Sequence, residues 1–217
     1  MIALNTNEIL ALNGLLDSEA IHGIKLPTVP QEQEEAVTKE VIESLTEKEF
    51  FIDGKMSDKL FAITQLLEEY KTSERYVFIN QMRIGLKDED EVTFLEINED
   101  ETIYLGRIQR VNIVKQIVGN SEFLKKEQKT RYFGNEEKDC SFDEYTEYVN
   151  SKNDEWKDMI VIQVYQEEQL QNFYTYYMSD NEGYCYNHLR KTSKEKGPKD
   201  IRQDLIDILE VVGDRNE

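Results

Sequence analysis

Cysteine is scarce: Cys140 and Cys185 are the only two in 217 residues, with no CxxC pair and no framework spacing. In a chain this size that excludes a disulfide-stapled scaffold and points to free thiols in a reducing compartment. Histidine is equally rare. His22 sits in a Gly/Pro-rich loop and His188 follows Tyr186-Asn187, and neither has a Cys or His at ligand spacing. No HExxH, GxSxG or P-loop motif occurs, so the motif-borne routes to zinc hydrolysis, α/β-hydrolase chemistry and phosphate cradling are missing. Gly14, Gly23 and Gly54 stand isolated. These absences predict no catalytic residues, no metal and no cofactor. Long apolar runs are lacking too: Ile9 to Leu16 is interrupted by Asn13 and followed by Asp17, far short of the roughly 20 residues a membrane span needs. The start, Met1-Ile2-Ala3-Leu4-Asn5, has neither the basic opening nor the apolar stretch of a signal peptide. The expected localisation is cytoplasmic.

Positive charge is also in deficit. Lys and Arg total 26 against 45 Asp and Glu, a net charge of −19. Such a body repels phosphate backbones and anionic lipid, which disfavours nucleic acid and membrane insertion, and it is steered toward basic partners. The run Asp88-Glu89-Asp90-Glu91 lacks the alternating ligands and glycine of an EF-hand loop and reads as a solvated turn. With so many carboxylates, no acid pair singles itself out for hydrolysis.

What is present describes a folded α+β chain. Asn5, Thr6 or Asn7 caps a first helix whose stripe is Ile9, Leu12 and Leu16, with Leu15 beside it. Pro30 opens a second, carrying Ala36, Val37, Val41 and Leu45, with Ile42 adjacent and an acidic outer face. Glu49 to Lys55 is a short extended piece that turns at Asp53-Gly54. Ser57 caps a third helix with Leu60, Ile63, Thr64, Leu67 and Tyr70 inward. After Ser73 the period becomes two. Tyr76 to Arg83, Val92 to Ile97, Thr102 to Leu105 and Arg107 to Val114 are expected strands of an antiparallel meander, with no helix between them. Residues 120–157 are polar, with a helix around Phe142, Tyr145 and Val149 and a loop at Asn135 to Asp139. Met159 to Tyr165 is expected as a central strand because both faces are apolar. Phe173 to Met178 pairs with it and turns through Asp180-Asn181-Glu182-Gly183 into Tyr184 to Tyr186. Gly197-Pro198 opens a last helix with Ile201, Leu205, Ile208, Leu209 and Val212 inward. The expected organisation is one two-lobed α+β domain with antiparallel sheets, residues 1–118 and 119–217, possessing related halves.

The candidate contact residues are Tyr174, Tyr176, Tyr184 and Tyr186. Tyrosine combines apolar area with a hydrogen-bonding tip at low entropic cost and is enriched at interfaces. On a strand Tyr174 and Tyr176 face one way, Phe173 and Tyr177 the other. A two-faced strand packed beneath helices accounts for the same residues.

Glu8-Ile9-Leu10-Ala11-Leu12-Asn13-Gly14-Leu15-Leu16, Ile24-Lys25-Leu26-Pro27 and Ser44-Leu45-Thr46-Glu47-Lys48-Glu49-Phe50-Phe51-Ile52-Asp53-Gly54-Lys55-Met56-Ser57 resemble the start of the EspG-type chaperones of mycobacterial ESX secretion. They are more closely similar to the EsaE-like proteins of type VII secretion loci in Gram-positive cocci and bacilli. The resemblance covers residues 4 to 114 in pattern and only the order of elements beyond. It implies a cytosolic adaptor of two quasi-symmetric lobes that binds a secreted substrate or toxin protein, keeps it soluble and presents it to the secretion ATPase. The alternative is a non-enzymatic regulatory or scaffold protein with a winged-helix-like N-terminal segment. The third helix argues against DNA reading, since Asp58, Glu68 and Glu69 outnumber Lys59 and Lys71.

Overall fold

The computed structural model describes residues 1–127, 136–151, 158–178 and 182–211. A short strand, β1 (Ile2–Leu4), precedes α1 (Thr6–Gly14). The start of α1 is a capping box. Asn5 Oδ1 accepts from the Glu8 N–H at 2.8 Å and the Glu8 carboxylate accepts from the Asn5 N–H at 2.7 Å, which satisfies two donors that a helix start leaves open. A 3-10 turn at Gln31–Gln33 leads into α2 (Glu34–Glu47). β2 (Phe51–Ile52) and β3 (Lys55–Met56) pair across Asp53 and Gly54, whose φ values are 51° and 72°. Positive φ at both positions gives the twist a two-residue hairpin needs. The Ser57 hydroxyl then caps α3 (Asp58–Lys71), accepting from the Leu60 N–H.

Four strands follow: β4 (Arg75–Ile79), β5 (Met82–Leu86), β6 (Glu91–Ile97) and β7 (Ile103–Gln109). After them come α4 (Arg110–Asn120), β8 (Lys138–Asp139), α5 (Phe142–Ser151), β9 (Asp158–Gln166), β10 (Gln169–Met178), β11 (Gly183–Asn187), β12 (Thr192–Glu195) and α6 (Pro198–Ile208). The protein is α+β, and its paired strands run antiparallel.

The chain forms two compact units. Met1–Glu74, Gln81–Gly85 and Thr93–Arg107 make the first; Arg75–Asn80, Leu86–Val92 and Ile108–Glu217 make the second. In the first, strands lie in the order β1-β7-β6-β5, with Ile2 opposite Leu105 and Ile84 opposite Phe94. Leu4, Ile9, Leu12, Phe50, Ile63, Leu67, Tyr70 and Leu105 are buried there. The α3 stripe brings Tyr70 inward, and its hydroxyl donates to the His22 carbonyl at 2.8 Å, so the polar tip is satisfied where the ring is buried. In the second unit the order is β4-β9-β10-β11-β12-β8. β9 is an inner strand, paired on either side with β4 and β10, and Ile160, Ile162 and Val164 are buried. α6 starts with Pro198 and buries Ile201 and Leu205, followed by buried Leu209. Two arginines meet the end of this helix: Arg75 donates to the Ile208 carbonyl and Arg110 to the Leu209 and Glu210 carbonyls. They neutralise acceptors that the last helical turn leaves open.

Four local expectations need correction. Tyr76 to Arg83 is not one strand, because the chain turns at Asn80 and Gln81, with Asn80 at φ 51°. Asparagine tolerates that region, and its side-chain oxygen accepts from the Val161 N–H at 2.9 Å. Arg110 to Val114 is not strand but the start of α4, burying Arg110, Ile113 and Val114 on one face. Its β-branched residues suit a strand, yet burial at i, i+3 and i+4 decides for helix. Lys138 and Asp139, expected in a loop, are β8 and pair with β12; Ile2 to Leu4, for which no element was expected, pairs with β7. Asn135, Asp180, Asn181 and Val212 lie outside the described residues.

Candidate functional site

β10 and β11 place the four candidate tyrosines, and antiparallel register divides them. Tyr176 lies opposite Cys185, and Thr175 opposite Tyr186, so Tyr174 and Tyr176 share a face with Cys185 while Tyr184 and Tyr186 occupy the other. Tyr176 is 1% exposed; its hydroxyl donates to Asp204 Oδ2 of α6 at 3.0 Å, and Lys196 donates to the same oxygen. Burial drives the Tyr176 hydroxyl far above the ordinary phenol range. Tyr174 beside it is half-buried and lines a cavity of about 280 Å³ with Cys185, Asn187, Lys194, Lys196 and Ile208. Burial pushes the Cys185 thiol up to about 12, so it is a protonated core group at neutral pH and no thiolate nucleophile.

On the opposite face Tyr186, also 1% exposed, stacks on Tyr145 of α5 with ring centroids 4.1 Å apart and planes 10° from parallel. Its hydroxyl donates to the Cys140 carbonyl at 3.2 Å. Tyr184 is half-buried, edge-on to Tyr148 at 5.8 Å. His188 completes this aromatic layer. It stacks on Phe173 at 3.8 Å, meets Tyr186 edge-on at 4.8 Å, and its Nε2 hydrogen-bonds the Thr175 hydroxyl at 2.8 Å. Burial holds its imidazole below the usual value. The four residues therefore form two pairs on opposite faces. In each pair one ring lies in the core and one retains surface.

A second feature, within the first unit, escaped the sequence reading. α1 and α2 are joined at one end by Glu8, whose side chain has no exposure. It accepts from Lys48 Nζ at 2.6 and 2.7 Å, from the Ser44 hydroxyl at 2.7 Å and from the Asn5 N–H. Such convergence compensates for burying a carboxylate. Along the two helices runs an apolar groove of about 410 Å³, lined by Leu10, Ala11, Leu15, Val37, Val41, Ile42, Leu45 and Phe51. Leu15 is 50% and Ile42 51% exposed. Ile42 stands one position outside the buried stripe of α2 and Leu15 is the residue that ends α1, beside the stripe expected from sequence; that offset was the available signal.

Elsewhere several charged groups are engaged locally. Lys59 donates to the Lys48 carbonyl at 2.6 Å and Lys71 to Asn13 Oδ1 at 2.7 Å. The acidic loop near Asp90 is held by Arg110, whose backbone N–H donates to the Asp90 carbonyl. Among the described residues no three His, Cys, Asp or Glu side chains are grouped to hold a metal ion, and no helix is long and apolar enough to cross a membrane.

A family model described as "Domain of unknown function (DUF5081)" matches residues 3–211. No curated protein matches this chain in sequence. Among solved structures, one described as the Mycobacterium tuberculosis type VII secretion system chaperone EspG5 in complex with a PE25-PPE41 dimer superposes with a TM-score of 0.54. Identity is 8%, and the match covers 98% of this chain and 97% of the other. The two share a fold.

Proposed function

The chain belongs to the DUF5081 family, and we propose that it is a chaperone or adaptor that binds a cognate secreted substrate protein of a type VII secretion system. It keeps that protein soluble and export-competent in the cytosol, presents it to the secretion ATPase, and carries out no bond-making of its own. The observation that carries this reading is the fold likeness to a type VII secretion chaperone over nearly the full length of both chains. That neighbour is described in complex with a PE25-PPE41 dimer, which supports a secreted protein as the partner class. The surface chemistry agrees. A net charge of −19 favours solubility and basic partners, and the lysines of α3 are tied to neighbouring backbone and side chains.

Contact through the β10–β11 tyrosines is part of the proposal. Tyr174 and Tyr184 supply the available ring surface, while Tyr176 and Tyr186 hold the strands against α6 and α5. The test is affinity recovery of the tagged full chain from its native host under mild conditions. A co-eluting secreted protein in stoichiometric amount is expected; recovery of none overturns the reading. Tyr174→Ala and Tyr184→Ala are expected to weaken that complex. Unchanged affinity in both folded variants removes the tyrosines from the contact and leaves the chaperone reading in place.

A further inference from the structure

The geometry points to the α1–α2 groove as a docking site for an amphipathic helix of the partner protein, one whose apolar stripe is flanked by lysine and arginine. This rests on the proposal that the chain binds a secreted protein, and it adds where and by what chemistry.

The groove is walled by helices. Along α1 and α2 the backbone N–H and C=O groups are used within the helices, and the only strand residue in the lining is Phe51 of the two-residue β2. An extended peptide laid there would bury its own backbone groups unpaired, at a cost of the order of 1–3 kcal/mol for each. A helix has those groups satisfied internally and presents only side chains, which is what an apolar groove between two helices accepts. Leu15 and Ile42, each half exposed, are the apolar surfaces such a stripe would cover.

The rim sets the charge. α2 carries five glutamates against Lys39 alone, and Glu35 and Glu43 lie with Ile42 along one shallow depression beside the groove. Lys39 lies 3.9 Å from Glu43 with both side chains well exposed, a pair that contributes little. Glu34 itself lines the groove. A second copy of this chain fits poorly, because a two-fold contact would bring the same carboxylates face to face. An anionic membrane is repelled for the same reason. A helix with basic flanks satisfies both the apolar floor and the acidic rim.

The test uses the full chain and two labelled synthetic helical peptides with the same leucine stripe, one flanked by lysine and one by glutamate. Anisotropy is expected to show the lysine peptide binding about tenfold or more tightly at low salt, with the gap closing as salt screens the rim. Ile42→Glu and Leu15→Glu sit at half-exposed positions, so unchanged circular dichroism is expected together with lost peptide binding. Glu35→Lys with Glu43→Lys is expected to reverse the preference between the peptides. Equal affinity for both peptides, or full binding by the folded Ile42→Glu variant, overturns the inference. So does a dimer in sedimentation that Ile42→Glu abolishes. If the native host yields a secreted protein that Ile42→Glu retains equally well, the groove is wrong and the chaperone reading stands. If no secreted protein is recovered while the lysine peptide still binds in the Ile42-dependent way, the groove stands and the chaperone reading falls.

Discussion

At the scale of single residues, Glu8 concentrates the largest local dependence. Its carboxylate is fully enclosed, while Lys48 keeps 34% of its side-chain surface. Lys48→Met strands a buried charge, and an expected loss of about 3 kcal/mol follows, the low end for a broken buried pair. Glu8→Gln leaves the lysine free to hydrate and is expected to cost about 1–2 kcal/mol. Denaturant unfolding of both variants and of the double mutant measures this, and additivity would show that the pair is not coupled. His188 gives a pH dependence. Phe142, Tyr145, Phe173 and Tyr186 surround its ring and Thr175 bonds Nε2. Its folded pKa is depressed by burial, so the unfolded chain takes up the proton first. The stability from a neutral His188 is complete above the unfolded value of about 6.5 and is lost as pH falls through and below it toward the folded value. His188→Phe is expected to flatten melting temperature against pH across that window, and an unchanged slope would assign the dependence to carboxylates.

At the scale of elements, close approach is sharpest where β11 begins. A Cβ on Gly183 would lie 2.5 Å from the Lys196 carbonyl oxygen and 2.8 Å from the Phe123 ring. Backbone has to move, so Gly183→Ala is expected to destabilise by about 1–3 kcal/mol, read by thermal melting. Asn5→Ala removes a cap oxygen from α1 and is expected to cost about 1 kcal/mol. Most elements were legible because local signals agreed with burial: Ser57 caps α3, Asp53-Gly54 turns the hairpin, and Met159 to Tyr165 lies on an inner strand. α4 was illegible because Val111, Ile113, Val114, Ile117 and Val118 satisfy strand propensity as well as helical spacing. β1 was hidden for another reason. Three residues carry no period, and only pairing with β7 makes them strand. The tyrosines were recognisable as an aromatic cluster, but sequence cannot give cross-strand register, and register is what parts Tyr174 and Tyr176 from Tyr184 and Tyr186. The groove was half legible, in two leucine-class residues falling just off their stripes.

At the scale of the whole molecule, the account rests on a fold shared with a secretion chaperone at 8% identity. Sequence at that distance no longer records which surface meets the partner, so composition and exposed apolar groups have to carry the rest. They describe a body with 45 acidic residues, a buried thiol raised to about 12 and an apolar groove with Glu34 in its lining. The proposed role, holding a protein, draws on those properties. The direct measurement is the solubility of the partner recovered from the host, expressed alone and together with this chain. The account predicts that the partner aggregates alone and elutes as a defined stoichiometric complex when the chain is present. A partner equally soluble by itself, with no complex formed on mixing, would contradict it.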